Sequence, residues 1–148
     1  MYYPIFLQLE RVPVVVVGAG RVALRKVRGL VEAGAVVTVV SPEGEPEFAE
    51  LPVKWVKRAF QSRDLAGARL VFAATNDRWV NKAIRDEAER LGIWVNVADS
   101  LEECGFIVPS RAQRGDVQVA VSTSGKSPRL AVRLRQKIEA MLEESGIE

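Results

Sequence analysis

Histidine is absent from the 148-residue sequence, and cysteine occurs only once, at Cys104. Without histidine the chain lacks the commonest general base and the commonest protein ligand of transition metals. A single cysteine excludes a disulfide framework within the chain and is typical of a reducing compartment. Any catalytic base must therefore be a carboxylate, a lysine, a tyrosine or Cys104, and the sequence predicts no strongly ligated metal.

Aromatic residues are also few, at 7%, and the charge is almost balanced, with 21 Lys and Arg against 19 Asp and Glu. So small a positive excess does not indicate nucleic-acid binding, and basic and aromatic residues do not interleave. No apolar run approaches the roughly 18 residues that span a bilayer, and the amino terminus lacks a signal-peptide pattern. We therefore expect a cytoplasmic protein with no nucleic-acid or membrane partner.

The most informative segment that is present is Val14–Ala23, in which four valines lead directly into Gly-Ala-Gly. A short β-branched apolar run is typical of a strand buried on both faces, as in a parallel sheet. Gly18 and Gly20 allow a tight turn and close approach of a ligand, and the following helix N-terminus attracts a pyrophosphate. The segment predicts a dinucleotide site; a glycine turn without a ligand is the alternative.

Apolar runs and helical patterns alternate along the first two thirds of the chain. This alternation predicts βαβ units and an α/β fold of the Rossmann type, with a doubly wound parallel sheet. Residues 3–9 are expected to add an edge strand. The other strands are predicted at residues 14–17, 36–40, 53–56, 70–74 and 94–97, and the helices at 21–33 and 80–91.

After Asp99 the pattern changes to that of a short appended β-hairpin and helix. Strands are predicted at residues 106–108 and 117–121, and Ser127-Pro128 predicts the start of a helix that runs to about Glu144. Four apolar residues recur along this helix at a spacing of four, namely Leu130, Leu134, Ile138 and Leu142. We expect a Rossmann domain over residues 1–104 and a further segment over residues 105–148.

Polar segments follow several predicted strands, where the ligands of parallel sheets bind. They are Gly18-Ala19-Gly20, Ser41-Pro42-Glu43, Thr75-Asn76-Asp77 and Asn96–Asp99. Glu43 lies near the spacing of an acid that binds a cofactor ribose, although a solvated loop charge is equally open. No arginine ends the second strand, which favours NAD over NADP. Asp99 is the best-placed isolated carboxylate; a turn or capping aspartate is its alternative.

A second polar cluster precedes the last predicted helix, and it is Ser122-Thr123-Ser124-Gly125-Lys126. Hydroxyls, a glycine and a lysine at a helix N-terminus indicate an anion cradle, while a polar capping loop is the alternative. Arg111 and Arg129 lie close to it in sequence. Arginines suit a polycarboxylate ligand, but they are equally consistent with a solvated surface or a subunit interface.

A series of motifs along nearly the whole chain occurs in an order that is typical of one enzyme family. The motifs are Pro4–Leu7, Val16–Lys26, Glu32–Ala35, Ala73–Asp77, Asn96–Asp99, Phe106–Ser110 and Ser122–Pro128. Together they resemble the precorrin-2 dehydrogenase module of siroheme synthases. Family members usually continue with further helices after the position where this sequence ends, so residues 105–148 would correspond to a shortened C-terminal helical part.

The resemblance implies oxidation of precorrin-2 to sirohydrochlorin in siroheme biosynthesis, with NAD⁺ as the hydride acceptor and Asp99 as the catalytic carboxylate. It implies that Arg21 and Val22 lie at the pyrophosphate, that Pro42 and Glu43 lie beside the ribose and adenine with Ser41 in the same segment, and that Thr75, Asn76 and Asp77 line the nicotinamide side. The acidic substrate would bind Ser122, Thr123, Ser124, Gly125, Lys126, Arg111 and Arg129. The family forms homodimers that exchange the segment after the Rossmann core.

Two alternatives stay open at this point. Insertion of Fe²⁺ or Co²⁺ through Asp99 is a candidate second activity of the same enzyme. A sensor module that binds NAD without turnover is the main competing function, and it would have no affinity for a tetrapyrrole.

Overall fold

The computed structural model describes residues 1–147 and contains a five-stranded parallel sheet and a two-stranded antiparallel sheet. Glu148, the last residue of the predicted segment 105–148, lies outside the described residues. The chain divides into two compact units. Ile5–Phe106 forms the sheet unit, and Met1–Pro4 together with the chain from Ile107 onward forms the hairpin unit.

The sheet unit has five strands, β1 (Pro13–Val17), β2 (Val36–Val40), β3 (Lys54–Val56), β4 (Leu70–Ala73) and β5 (Trp94–Val97). Helix α1 (Arg21–Glu32) joins β1 to β2, and helix α2 (Arg78–Leu91) joins β4 to β5. Short 3₁₀ turns occupy Pro46–Glu50, Ser62–Leu65 and Leu101–Glu103. The strand order is β3-β2-β1-β4-β5 with all pairs parallel, which confirms the predicted Rossmann-type arrangement.

Four successive positions of β1 are valine, with no alternation between apolar and polar residues, because both faces of this central strand are covered. Val14 and Val16 belong to a cluster with Val27 of α1, whereas Val15 belongs to a second cluster with Ile84 of α2. Successive side chains of a strand point to opposite faces, so the two clusters lie on opposite sides of the sheet. Burial of β1 on both sides places the Gly-Ala-Gly turn at the centre of the sheet edge.

Residues 3–9 form no strand, contrary to the prediction for this segment. The chain instead makes a tight turn in which the Val12 backbone N–H donates to the Leu9 carbonyl at 2.9 Å. Leu9 and Val12 are partly buried against the core cluster of β1. This turn leads directly into the central strand and packs Leu9 and Val12 on the core, whereas residues 3–8 are exposed.

In the hairpin unit, β6 (Ser110–Arg114) pairs with β7 (Val117–Val121), and α3 (Pro128–Glu144) packs on both strands. The predicted strand at residues 106–108 is wrong, since β6 begins directly after Pro109. Proline has no backbone N–H to donate to a strand pair. The Ser-Arg-Ala-Gln-Arg sequence of β6 buries only Ala112, so it carries almost no hydrophobic signal.

Helix α3 begins at the predicted Ser127-Pro128, but only Ile138 and Leu142 of the four residues at a spacing of four are buried or partly buried. Ala131 and Leu142 are buried, whereas Leu130 and Leu134 are 43% and 39% exposed. A spacing of four advances by about 40° per step around a helix, so four such residues do not share one face. Residues 131 and 142 differ by eleven positions, which returns the side chain to nearly the same direction.

Candidate functional site

Two glycines form the turn between β1 and α1, and each is required for a different reason. Gly18 has φ +107°, and a Cβ there would lie 2.2 Å from the Ala74 carbonyl oxygen. Gly20 has φ −82°, and a Cβ there would meet no protein atom within 4 Å. Gly18 is therefore demanded by the fold itself, while the space beside Gly20 is open to a ligand.

Helix α1 begins at this turn without a capping side chain. Gly20 is its N-cap residue, and the first turn contains no acidic residue. By contrast, Asp77 caps α2 and Ser127 caps α3 through hydrogen bonds from backbone N–H groups. The free N–H groups and the positive dipole end of α1 are thus available to an anion such as a pyrophosphate.

The loop after β2 packs directly against the glycine turn. The Glu45 backbone N–H donates to the Ala19 carbonyl at 2.8 Å. A Cβ at Gly44 would lie 2.3 Å from the Ala19 Cβ, so only glycine allows this close approach. Ser41 Oγ donates to the Glu43 carbonyl at 2.6 Å, and the Glu43 side chain is exposed. Gly44 was not among the predicted site residues, although it follows Ser41-Pro42-Glu43 directly.

The loop after β4 is held in place by Asn81 of α2, which is completely buried. Asn81 Oδ1 accepts from the Thr75 hydroxyl at 2.7 Å, and Asn81 Nδ2 donates to the Thr75 carbonyl at 3.0 Å. Asp77 accepts from the Trp79 and Val80 backbone N–H groups, so its carboxylate is committed to capping α2.

Asn81 was not among the predicted site residues. A usable signal was available, because this polar residue stands three positions before Ile84 and seven before Ala88, on the buried face of α2. A buried polar side chain must find hydrogen-bond partners, and the adjoining loop provides them here.

Asp99 lies in the loop after β5 and forms an ion pair that the sequence did not reveal. Arg78, the first residue of α2, places its Nη1 atom 2.7 Å from Asp99 Oδ1. The other terminal nitrogen of Arg78 bonds to the Glu103 carboxylate. The Asp99 side chain is 40% exposed, so its carboxylate is accessible from solvent. Asp99 also lies in a turn, so the alternative of a turn aspartate stays open, while its carboxylate pairs with a guanidinium.

Cys104 and Asn96 fix the backbone beside Asp99. The Cys104 thiol donates to the Val97 carbonyl at 3.3 Å, and Asn96 Nδ2 donates to the Phe106 carbonyl at 3.0 Å. Burial raises the pKa of the Cys104 thiol above its ordinary value, so this side chain is a protonated packing group at neutral pH. Phe106 packs edge-on against Phe72 at a centroid distance of 5.4 Å.

The cofactor candidates of the sheet unit share one edge of the parallel sheet, because they follow the carboxyl ends of β1, β2 and β4. They are Gly18, Gly20, Arg21, Val22, Ser41, Pro42, Glu43, Thr75, Asn76 and Asp77. Asp99 follows β5 at the same edge. A groove with a volume of about 700 Å³ lies at the opposite edge, where Pro13, Leu70 and Trp94 begin their strands, away from the cofactor candidates.

The substrate candidates lie in the hairpin unit, in the loop between β7 and α3 and beside it. Thr123 Oγ1 accepts from the Ser127 N–H at 3.0 Å, and Ser122 Oγ accepts from the Ser124 N–H at 3.0 Å. Ser124 and Gly125 both have positive φ, at 55° and 76°. The remaining candidates, Lys126, Arg111 and Arg129, are exposed. These bonds order a compact turn with cationic side chains on its surface.

In the part of the chain that the structure describes, no helix is long and apolar enough to cross a membrane. Among the same residues, no three His, Cys, Asp or Glu side chains are grouped as a metal site.

The strand order and the uncapped glycine turn define this chain as a Rossmann-fold dinucleotide-binding protein. Residues 5–110 match the family described as "Putative NAD(P)-binding", and residues 114–141 match the family described as "Sirohaem biosynthesis protein central". The chain belongs to the family of siroheme synthases and precorrin-2 dehydrogenases, which confirms the resemblance seen in its motifs.

Curated relatives and a solved structure agree with this assignment. The chain is 45% identical over 145 residues to siroheme synthase 3 of Aeromonas hydrophila, covering 95% of this chain and 31% of that protein. It is 47% identical to the siroheme synthase of Methylobacillus flagellatus, covering 94% and 31%. The chain thus spans about a third of these curated relatives. The solved structure of SirC, a precorrin-2 dehydrogenase, has a TM-score of 0.81 and 30% identity, covering 95% of this chain and 71% of that one.

Proposed function

We propose that this chain is an NAD-dependent dehydrogenase that oxidises precorrin-2 to sirohydrochlorin in siroheme biosynthesis. The observation that carries the proposal is the uncapped glycine turn of α1 at the same sheet edge as the accessible carboxylate of Asp99. The glycine turn would bind the dinucleotide, and the Asp99 carboxylate would accept a proton. The fold similarity to SirC, whose name states this activity, supports the same reaction here.

The residues at the turn fit a dinucleotide. The open space beside Gly20 and the unpaired N–H groups at Arg21 and Val22 suit a pyrophosphate, and the Ser41–Glu43 loop suits the ribose and adenine. Thr75, Asn76 and Asp77 would line the nicotinamide side. Because the Asp77 carboxylate caps α2, Asp77 would contact the cofactor through its backbone atoms. NAD⁺, when bound, accepts a hydride from the substrate.

Asp99 acts as the base in this proposal. Loss of two hydrogens from the macrocycle releases one hydride and one proton, and a carboxylate within reach of the carbon or nitrogen that loses the proton can accept it. The chain has no histidine, and Cys104 is held protonated, so the carboxylate is the suitable group at this edge. A bound macrocycle would exclude water from the exposed side of Asp99.

The acidic side chains of precorrin-2 would bind the polar turn of the hairpin unit. Its cationic residues are Lys126, Arg111 and Arg129, with Ser122, Thr123, Ser124 and Gly125 offering hydroxyls and backbone N–H groups. Arginine binds carboxylates in two-point geometry, which suits a polycarboxylate substrate.

We further propose that the protein is a cytoplasmic homodimer that exchanges the segment after the Rossmann core. The support is an exposed apolar stripe on α3, formed by Leu130, Leu134 and Met141, which are 43%, 39% and 61% exposed. Exposed apolar residues that share one helix face are typical of an interaction surface.

The test is an anaerobic reaction of enzymatically made precorrin-2 with NAD⁺, followed by absorbance, with the wild-type chain and with Asp99→Asn as an isosteric variant. The proposal expects NADH and sirohydrochlorin from wild type and almost none from the variant, with unchanged NAD affinity. NAD binding without NADH formation by wild type would instead support a sensor module. Fe²⁺ or Co²⁺ is added after turnover, and a metal-dependent spectral change would establish chelation as a second activity.

A further inference from the structure

Arg78 links two loops that the proposed reaction uses. Its Nη1 donates to Asp99 Oδ1 at 2.7 Å across 21 positions of sequence, and its other terminal nitrogen bonds to Glu103. Asp99 precedes the 3₁₀ turn Leu101–Glu103 that follows β5, and Glu103 is the last residue of this turn. One guanidinium therefore ties the carboxylate of Asp99 to the start of α2.

The backbone at Arg78 is held in place by neighbouring hydrogen bonds. It is the first residue of α2, directly after the capping Asp77, and the preceding Thr75 is held by the buried Asn81. Because the capped start of the helix is fixed, the Cα atom from which the Arg78 side chain extends is fixed as well. The position of the guanidinium is thus set by the same loop that the proposed function assigns to the nicotinamide.

One oxygen of the Asp99 carboxylate is left outside the ion pair. Arg78 carries one positive charge and faces two carboxylates, those of Asp99 and Glu103. The bond to Arg78 engages Oδ1 of Asp99, while Oδ2 is not part of it. A charge-assisted hydrogen bond restricts the rotation of the carboxylate and so directs the second oxygen.

We propose that Arg78 is a positioning residue that orients Asp99 for proton removal and couples its orientation to the Thr75–Asp77 loop. This inference rests on the proposed dehydrogenation. Arg78 does not contact the reacting atoms in this role. Its removal should slow turnover through misplacement of Asp99, and it should leave cofactor and substrate affinity nearly unchanged.

The experiment compares Arg78→Ala and Arg78→Lys with wild type in the anaerobic precorrin-2 and NAD⁺ assay, measuring kcat, KM and the dissociation constant of NAD. Arg90→Ala is the matched control, because Arg90 lies on the same helix and pairs with Glu87 at 2.7 Å on the exposed side. Each protein is also assayed with added guanidinium ion at concentrations below those that unfold it, and Asp99→Asn is included in that series.

We expect Arg78→Ala to lower kcat by roughly 30- to 100-fold, the scale of a misplaced catalytic group, with KM and NAD affinity within about threefold of wild type. Guanidinium should restore at least about a tenth of the lost rate, since it can occupy the position between the two carboxylates. Arg78→Lys should retain an intermediate kcat because an ammonium offers a charge without the planar fork. Arg90→Ala and Asp99→Asn should show no response to guanidinium.

An unchanged kcat in Arg78→Ala would overturn the inference. A joint loss of kcat, NAD affinity and thermal stability in both Arg78 variants, without rescue, would show a merely structural role and overturn it as well. Failure of wild type to form NADH would refute the proposed function, and the inference falls with it. The two failures are distinguishable because one affects the variants and the other affects wild type.

Discussion

Asn81 forms three hydrogen bonds with Thr75. Its Oδ1 accepts from the Thr75 backbone N–H at 3.1 Å and from the Thr75 hydroxyl at 2.7 Å, and its Nδ2 donates to the Thr75 carbonyl at 3.0 Å. The carboxamide is buried in α2, whereas the loop that it holds is at the sheet surface. A buried side chain of α2 thus fixes the conformation of a loop of the candidate site.

Asn81→Ala removes all three bonds and leaves the polar atoms of Thr75 without these partners. We expect the free energy of unfolding to fall by about 2 kcal/mol, because unsatisfied polar groups near the core are costly. NAD should also bind more weakly, since the loop loses its fixed conformation. Urea unfolding and calorimetric titration measure the two effects. Lys82→Ala is the control on the next, exposed residue, and an equal loss in both variants would contradict the explanation.

The two glycines of the turn should separate stability from ligand binding. Gly20→Ala places its Cβ in open space, so the free energy of unfolding should stay within about 1 kcal/mol of wild type. Its NAD affinity should fall about tenfold or more, because the methyl group would occupy the approach of the pyrophosphate. Gly18→Ala should instead lose about 2 kcal/mol or more of stability, since its φ is unfavourable and its Cβ would overlap the Ala74 carbonyl.

The readouts for both glycine variants are chemical unfolding and NAD titration. If Gly20→Ala bound NAD as tightly as wild type, the pyrophosphate would not approach this residue, and the assigned site would be wrong.

Acid should weaken the sheet unit through Asp64. Arg58 holds the Asp64 carboxylate with two hydrogen bonds, at 2.6 and 2.8 Å, and lowers its pKa below the ordinary 3.8. The unfolded chain therefore binds this proton more readily, so the stabilisation is present above about pH 4 and is lost as pH falls through the lowered pKa.

Asp64→Asn should consequently cost about 2 kcal/mol at pH 7 and progressively less below pH 4, as measured by urea unfolding across this range. Asp86→Asn provides the comparison, because Asp86 forms exposed ion pairs with Lys82 and Arg85, and its loss should cost much less stability than that of Asp64. A penalty for Asp64→Asn that did not depend on pH would rule out the ion pair as its cause.

The apolar stripe of α3 predicts the behaviour of the chain in solution. Leu134→Glu places a charge in the stripe and should convert a dimer to a monomer in sedimentation velocity at micromolar concentration. Val132→Glu is the matched control, because Val132 is similarly exposed, at 41%, and lies about half a helix turn away. A wild-type monomer, or equal dissociation by both variants, would refute the proposed interface.

Several elements were predictable because they depend on neighbouring residues alone. The Val14–Val17 run requires a strand covered on both faces, Gly18 requires the turn, and Asp77 and Ser127 cap the helices that follow them. Each of these rests on local backbone preference or on burial periodicity, which the sequence displays directly.

Other features were not predictable because they depend on contacts between different elements of the fold. The sequence indicated a strand at residues 106–108, but the Phe106 ring packs on Phe72 and the polar segment after Pro109 pairs instead. In α3 the sequence showed a spacing of four without showing which side faces the hairpin.

By itself, then, the sequence determined the order of strands and helices from β1 to β5, the glycine turn and the family to which the chain belongs. Only the tertiary structure decided that Asn81 anchors Thr75, that Gly44 packs on Ala19, and that Arg78 reaches Asp99 across 21 positions. Local patterns reflect hydrogen bonding and burial within one element. Pairs between elements depend on the strand order, which brings distant residues to a common edge of the sheet.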